Sequence, residues 1–148
     1  MAIASVLKDD HRLWMIDYFR GGTVERSSPP SSSKYSRGKT AWVYPELLRT
    51  VIEFGVENRV IIFPMTSQEA ASIVKEKFCF IFIDGNHSYD GVSSDWNLWW
   101  PHLIVGGICL FHDAHYGPIQ KFINKLKTYP GLKEEKRVHT IMAFRKLK

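Results

Sequence analysis

Cysteine is scarce in this chain: only Cys79 and Cys109 occur in 148 residues. Both lie in apolar runs and no CxxC spacing exists, which argues against a disulfide framework or a zinc knuckle. Two buried free thiols in a reducing, cytoplasmic setting are expected instead. Long apolar runs are missing too. None approaches the roughly 18 residues of a membrane-spanning helix, so no membrane association is expected. The opening MAIASVLKDDHRLW has no basic segment followed by an apolar one, so no secretory leader is expected. Glycine does not occur before Gly21. No RNP strand or zinc-finger spacing is present, so nucleic acid is not an expected partner.

What is there is globular. Apolar residues make up 45 %, charged residues 24 % and aromatics 14 %. These proportions suit one domain over 1–148 with a packed core. The net charge is +5, and the last 28 residues carry nine Lys or Arg against two Glu. Such a region is usually a solvated face, and an anion- or nucleic-acid-binding module is the alternative it leaves open.

The apolar pattern alternates helices with short strands. Residues 2–8 read as a helix end, and HRLWMIDYF (11–19) as a buried strand ending in Asp17. Residues 20–40 hold five Ser and two Pro within 27–33 and read as a long flexible loop. Leaving a strand end, this loop is placed to act as a lid, with Tyr35 and its basic residues facing a ligand. YPELLRTVIEFG is a helix with an apolar stripe of Leu47, Leu48, Val51, Ile52 and Phe54 and a C-cap at Gly55. NRVIIFP (58–64) is a strand, followed by a helix capped by Thr66 or Ser67. FCFIFID (78–84) is a strand buried on both faces. SYDGVSSDWNLWWPHL is a helix, GGICLFHD (106–113) a strand, GPIQKFINKLKTY a helix, and EKRVHTIMAFRKL one or two strands. The expected fold is α/β: a Rossmann-like, doubly wound, mainly parallel sheet with an antiparallel strand near the C-terminus.

Open parallel sheets bind ligands at the carboxyl ends of their strands. Three strand ends here carry Asp17, Asp84 and Asp113, with His87 and His112 close to two of them. A carboxylate directly after an apolar strand must find partners. It can cap the next helix, or it can serve a ligand. Three together favour the second role. His87 itself could be a turn residue bonded to a nearby carbonyl. Trp96 and Trp99 fit the core, and His102 and His139 the surface.

The string FIFIDGNHSYDGVSSDWNLWWPHLIVGGICLFHDAHYG resembles class I S-adenosylmethionine (SAM)-dependent methyltransferases. Within them it is similar to the small-molecule O-methyltransferase branch, with its catechol-type and macrocin- and cephalosporin-hydroxylase-like relatives. RVIIFPMTSQEA resembles the family's third strand and adenine-binding turn, and HRLWMIDYF its second strand. The resemblance implies that Asp17 receives the ribose hydroxyls and that Ser67 and Gln68 touch the adenine. It implies that Asp84 lies at both cofactor and metal, and that Asp84 and Asp113 share a divalent cation. Magnesium is the expected ion, because hard oxygens suit it. His87 would be the general base, since an imidazole can accept a proton near neutral pH. The implied reaction is metal-assisted O-methylation of a small hydroxylated acceptor, a sugar or a phenol.

Two departures qualify the resemblance. Where catechol-type relatives carry a further ligand after their second metal Asp, this chain has Ala114. His112 or His115 could supply a nitrogen in its place, softening the site towards manganese, iron or zinc. The family's first strand and glycine-rich turn also have no counterpart here, so a truncated domain is expected. Such a sheet would expose an edge inviting a second copy. A non-catalytic remnant with weak SAM binding is the matching alternative.

Overall fold

The computed structural model describes residues 8, 10–19 and 43–148. The helix end expected over 2–8 (Lys8 apart), the opening of the domain and the loop over 20–40 lie outside the described residues. The chain forms two compact units, Met1–Ala70 and Ala71–Lys148.

In the first unit, β1 (Leu13–Ile16) pairs in parallel with β2 (Val60–Phe63), with Leu13 opposite Val60 and Ile16 opposite Phe63. Helix α1 (Val43–Glu53) connects them in sequence, followed by a 3-10 turn at Glu57–Arg59. Gly55 has a φ of +61°, the left-handed value that ends a helix at little cost to glycine. The core is small: Val51 and Val56 are buried against Leu13, Leu47, Val60 and Ile62. Only part of the expected stripe is used, because Leu48, Ile52 and Phe54 are exposed. Helix α2 (Ser67–Ile73) follows β2.

The second unit is a four-stranded sheet in the order β3-β4-β6-β5, built from β3 (Phe78–Ile83), β4 (Leu103–Phe111), β5 (Leu132–Val138) and β6 (Ile141–Lys146). Strands β3 and β4 are parallel, while β6 runs antiparallel to both of its neighbours. The C-terminal segment is thus a hairpin, and its turn places His139 at φ +51°. Helices α3 (Tyr89–Trp99) and α4 (Gly117–Leu126) supply the rest of the core. Phe111, Phe144, Val92, Trp96, Phe122 and Ile123 pack there with Leu103 and Met142. Trp96 stacks on Trp100 with centroids 4.4 Å apart, and Lys146 Nζ sits 4.2 Å over the Trp100 ring. The same ammonium donates to the Trp100 and Leu103 carbonyls. Burial, and then Lys77 nearby, push the Lys146 pKa down.

Strand β4 begins at Leu103, earlier than the expected Gly106. Its regular pairing with β3 resumes only at Ile108, after an irregularity in which Gly106 takes φ +82°. A strand interrupted by a left-handed glycine reads in sequence as a turn. Strand β3 differs from expectation more sharply. It is the outer strand of its sheet; Ile81 and Ile83 face the core, but Cys79, Phe80 and Phe82 are exposed. One of the two expected buried thiols is therefore on the surface. Cys109 is buried, and the loss of solvent pushes its thiol pKa far up. Among the described residues no helix is long and apolar enough to cross a membrane.

Phe111 is fully buried between α3, α4 and β6. Phe111→Ala should cost about 3–5 kcal/mol of stability, read as a lower midpoint in urea unfolding at an unchanged slope.

Candidate functional site

Two features stand at the carboxyl ends of the strands, one in each unit. The first follows β1 and β2. Beyond Ile16 the Asp17 amide donates to the Phe63 carbonyl, extending the ladder by one bond. Asp17 Oδ1 then accepts the Phe19 amide at 2.7 Å, so a local turn aims this exposed carboxylate. Phe19 itself has φ +54° and packs its ring on Tyr44. After β2 the backbone turns through Pro64 and Met65 to Thr66. Thr66 and Glu69 bond reciprocally: Glu69 Oε2 accepts the Thr66 amide at 2.8 Å, and Thr66 Oγ1 accepts the Glu69 amide at 3.3 Å. This capping box starts α2. A cavity of ≈ 260 Å³ is lined by Tyr18, Pro64, Met65, Thr66 and Glu69. Ser67 and Gln68 occupy the first turn of α2 and are not among those lining residues. The T-x-x-E spacing was the sequence signal for Thr66 and Glu69.

The second feature is more concentrated. The parallel register sets Ile83 opposite Phe111, and the His112 amide donates to the Ile83 carbonyl at 3.1 Å. Asp84 and the His112–Asp113 pair therefore leave the sheet side by side. His112 Nδ1 lies 3.1 Å from Asp84 Oδ1 and 3.5 Å from Asp113 Oδ2. His87 Nε2 lies 3.6 Å from the same Asp84 oxygen and 3.7 Å from the same Asp113 oxygen. Two carboxylates and two imidazoles thus converge, each imidazole within reach of both acids. Their side chains are between a quarter and a half exposed, open enough for a small ligand. His115 is exposed and, among the described residues, takes no part in the cluster.

Local structure holds the cluster in place. Asn86 Oδ1 accepts the Ser88 amide at 2.8 Å, and Ser88 Oγ accepts the Gly91 amide at 3.0 Å as the N-cap of α3. His87 sits between these anchors, which fix its backbone while its ring faces Asp84 and Asp113. Gly85 and Gly91 let the turn lie close to α3. A Cβ on Gly85 would fall 2.6 Å from Asp95 Oδ2, and one on Gly91 would fall 2.6 Å from Asn86 Cβ and 2.8 Å from its carbonyl. Asp113 takes φ +46°, a left-handed conformation that is strained for a non-glycine residue. Ala114 is buried and donates its amide to the Thr140 carbonyl at 2.7 Å, which ties the end of β4 to the hairpin turn.

His112 Nδ1 is the one buried side-chain polar atom that makes no hydrogen bond among the described residues, despite its nearness to Asp84 and Asp113. Ligands about 2.1 Å from an ion lie about 3.0 Å apart at right angles and about 3.4 Å apart in a tetrahedron. The His112 separations of 3.1 and 3.5 Å each exceed these values by about 0.1 Å. Among the described residues no group of three or more His, Cys, Asp or Glu is arranged to hold a metal ion. Carboxylate oxygens and imidazole nitrogens are donor types that divalent ions take, but here they are not set around a common point.

A family model described as a methyltransferase domain matches residues 1–114, the stretch from the start of the chain to the end of this cluster. The chain belongs to the methyltransferase domain family. No curated protein matches it. Among solved structures, this methyltransferase domain is similar to the O-methyltransferase NovP, with a TM-score of 0.70 and 12 % identity over 97 % of the chain and 62 % of NovP. It is similar to the O-methyltransferase TomG from Streptomyces achromogenes, in complex with SAM, at a TM-score of 0.66 and 14 % identity over 99 % of the chain and 66 % of TomG. A Bacillus cereus O-methyltransferase in complex with SAH gives a TM-score of 0.62 and 15 % identity over 97 % and 67 % of the two chains. The chain thus spans roughly three fifths to two thirds of their lengths, and at these identities the likeness is one of fold.

The turn that carries His87 is testable by itself. Gly91→Ala forces a methyl group against the Asn86 backbone, which cannot yield as a flexible side chain could. The variant should lose about 1–3 kcal/mol in urea unfolding, as overpacked sites do. Gly117→Ala, where an added Cβ meets nothing within 4 Å, should lose far less.

Proposed function

We propose that this domain transfers a methyl group from SAM to an oxygen of a small hydroxylated metabolite, a sugar or a phenol, with help from a divalent cation. The observation that carries the reading is the convergence of Asp84, His87, His112 and Asp113 at the ends of two adjacent parallel strands. The family supports methyl transfer, and the SAM and SAH held by TomG and the Bacillus cereus enzyme support the donor.

The roles follow from chemistry. SAM supplies an electrophilic methyl group on a sulfonium ion. Asp17, aimed by its bond from the Phe19 amide, has acceptor capacity left for a ribose diol. Ser67 and Gln68, on the first turn of α2, would face the adenine. His87 Nε2 takes the proton from the acceptor hydroxyl. The freed oxygen lone pair forms the new C–O bond while the C–S bond breaks, its electrons remaining on sulfur. His87 is well placed because its Nε2 stands at the strand ends, within 3.7 Å of both carboxylates. A divalent ion held by Asp84, Asp113 and His112 would lower the pKa of the acceptor hydroxyl. The remaining contribution of the chain is alignment, since the displacement needs oxygen, carbon and sulfur in line.

Two substitutions separate binding from chemistry. Asp17→Ala should weaken SAM binding roughly 10- to 100-fold by calorimetric titration, the loss of charged hydrogen bonds worth about 1.5–3 kcal/mol. His87→Ala should leave that affinity unchanged while turnover on a model catechol or sugar acceptor falls about 10²–10⁴-fold. Failure of the unaltered chain to bind SAM would overturn the reading; unchanged turnover in His87→Ala would remove His87 from the mechanism.

A further inference from the structure

We propose that the acceptor of this site is an aromatic acid, its ring laid on Tyr116 and its negatively charged group met by Lys121. The proposal rests on the methyl transfer at His87 argued above and names the class of hydroxylated molecule that receives the group. It starts from what stands beside the His87 ring besides the two carboxylates. The Tyr116 ring lies 6.1 Å from the imidazole, tilted by 52°, and Tyr116 is 44 % exposed. Its backbone is held from both sides: the amide donates to the Asp113 carbonyl and the carbonyl accepts the Gln120 amide, both at 2.8 Å. Tyr116 is thus anchored as the residue that opens α4, yet among the described residues its hydroxyl forms no hydrogen bond. A tyrosine that serves packing alone buries its ring and finds a partner for its hydroxyl. One left open beside the proton acceptor offers a flat face to whatever carries the reacting oxygen, and an aromatic ring stacks on such a face.

The charge follows from the next turn of α4. Lys121 Nζ stands 5.4 Å from the centroid of the Tyr89 ring, and Tyr89 is the first residue of α3, two positions after His87. Tyr89 rests in turn on Phe122 of the core, edge-on with centroids 5.8 Å apart. The ammonium is therefore parked next to the turn that carries His87. On an exposed aromatic face it is held only weakly, so it can turn to an anion. Other cations of this region are committed: Lys127 to Glu134, Lys133 and Arg145 to Glu135, and Lys146 to two carbonyls. Among the described residues Lys121 pairs with no carboxylate. Asp84 and Asp113 repel an incoming anion, so an acceptor with a negative group needs a cation apart from them. A neutral phenol would use Tyr116 and leave Lys121 idle. A sugar phosphate would use Lys121 without the ring face. Together the two residues select a molecule that has both.

The test uses three probes: protocatechuate (a catechol bearing a carboxylate), methylcatechol as its neutral counterpart, and glucuronate as an anion without an aromatic ring. Each is titrated calorimetrically into the full chain with SAH present, and methyl transfer from SAM is followed on the same samples. Protocatechuate should bind about tenfold more tightly than either other probe, the scale of one hydrogen bond to a charged group. Lys121→Gln and Lys121→Glu should each abolish its advantage over methylcatechol, seen in turnover as a raised KM, and leave methylcatechol binding unchanged. Lys121→Arg should keep the advantage. Tyr116→Leu should weaken both catechols alike by about 2- to 10-fold, the worth of an aromatic pair, and Tyr116→Phe should weaken neither. Absent binding of protocatechuate, equal affinity for the three probes, an advantage that survives both Lys121 variants, or undiminished catechol binding in Tyr116→Leu would overturn the proposal. Lys121-dependent binding without methyl transfer sinks the function proposed above alone. Methyl transfer to methylcatechol that neither residue influences sinks the acceptor assignment alone.

Discussion

The parallel pairing of β3 with β4 is the constraint on which the candidate site depends. Parallel strands deliver their carboxyl ends to the same edge of a sheet, and the register decides which residues emerge together. With Ile83 opposite Phe111, the next residues are Asp84 on one strand and His112 and Asp113 on the other. A one-residue slip would turn Phe111 out of the core and send His112 to the opposite face. The full burial of Phe111 and Phe144 therefore does more than stabilise the sheet. It makes the register costly to change, and with it the distances among four ionisable side chains.

Much of this was legible in the sequence because it follows from period and position. The runs LWMI, VIIF and FCFIFI are strands in parallel pairings, and Asp17 and Asp84 immediately follow two of them. Ser88 and the Trp96 and Trp99 spacing mark α3. What stayed hidden is what apolar content cannot encode. A run such as FCFIFI reads alike whether its strand lies inside a sheet or at its edge, so the exposure of Cys79, Phe80 and Phe82 was not foreseeable. The hairpin of β5 and β6 turns at His139 and Thr140, with His139 left-handed, where an Asn-Gly pair would have announced it. The cavity beside Thr66 and Glu69 depends on side chains brought together by the fold, although the spacing of that pair was visible. The distances in the Asp84–His112 cluster needed the register itself.

The basic C-terminal region shows how charge counts mislead when read alone. Its nine Lys and Arg face two Glu, yet those two are fully engaged. Lys127 reaches Glu134 at 3.0 Å, while Lys133 and Arg145 both reach Glu135. The hydrogen bond from Arg145 is the main reason the Glu135 carboxyl stays below its ordinary range. Lys146 is turned inward to the Trp100 and Leu103 carbonyls. Part of the positive charge thus fastens the hairpin to β4 and α4. Each exposed pair is worth little, but the inward Lys146 is a different matter, since its ammonium gives up solvent for two carbonyls and an aromatic face.

A left-handed aspartate and the one buried side-chain polar atom without a hydrogen bond among the described residues stand side by side where the chemistry is proposed. Asp113 is left-handed without being glycine, His112 Nδ1 is buried without a hydrogen bond, and Gly91 allows a contact that a methyl group would forbid. Each is unfavourable or restrictive if folding is the only task. A chain optimised for stability would relax Asp113 or give His112 an aligned acceptor. The adjoining core does the reverse of relaxing: Phe111, Ile119, Phe122 and Met142 are all nearly inaccessible to solvent. A well-packed core beneath a strained strand end is the arrangement expected when stability is drawn from one place to hold unfavourable geometry in another. What that geometry holds is a pair of carboxylates and a pair of imidazoles, aimed at one another with no hydrogen bond from the buried nitrogen to fix them. A bound ligand can supply the interaction that the folded chain leaves unmade.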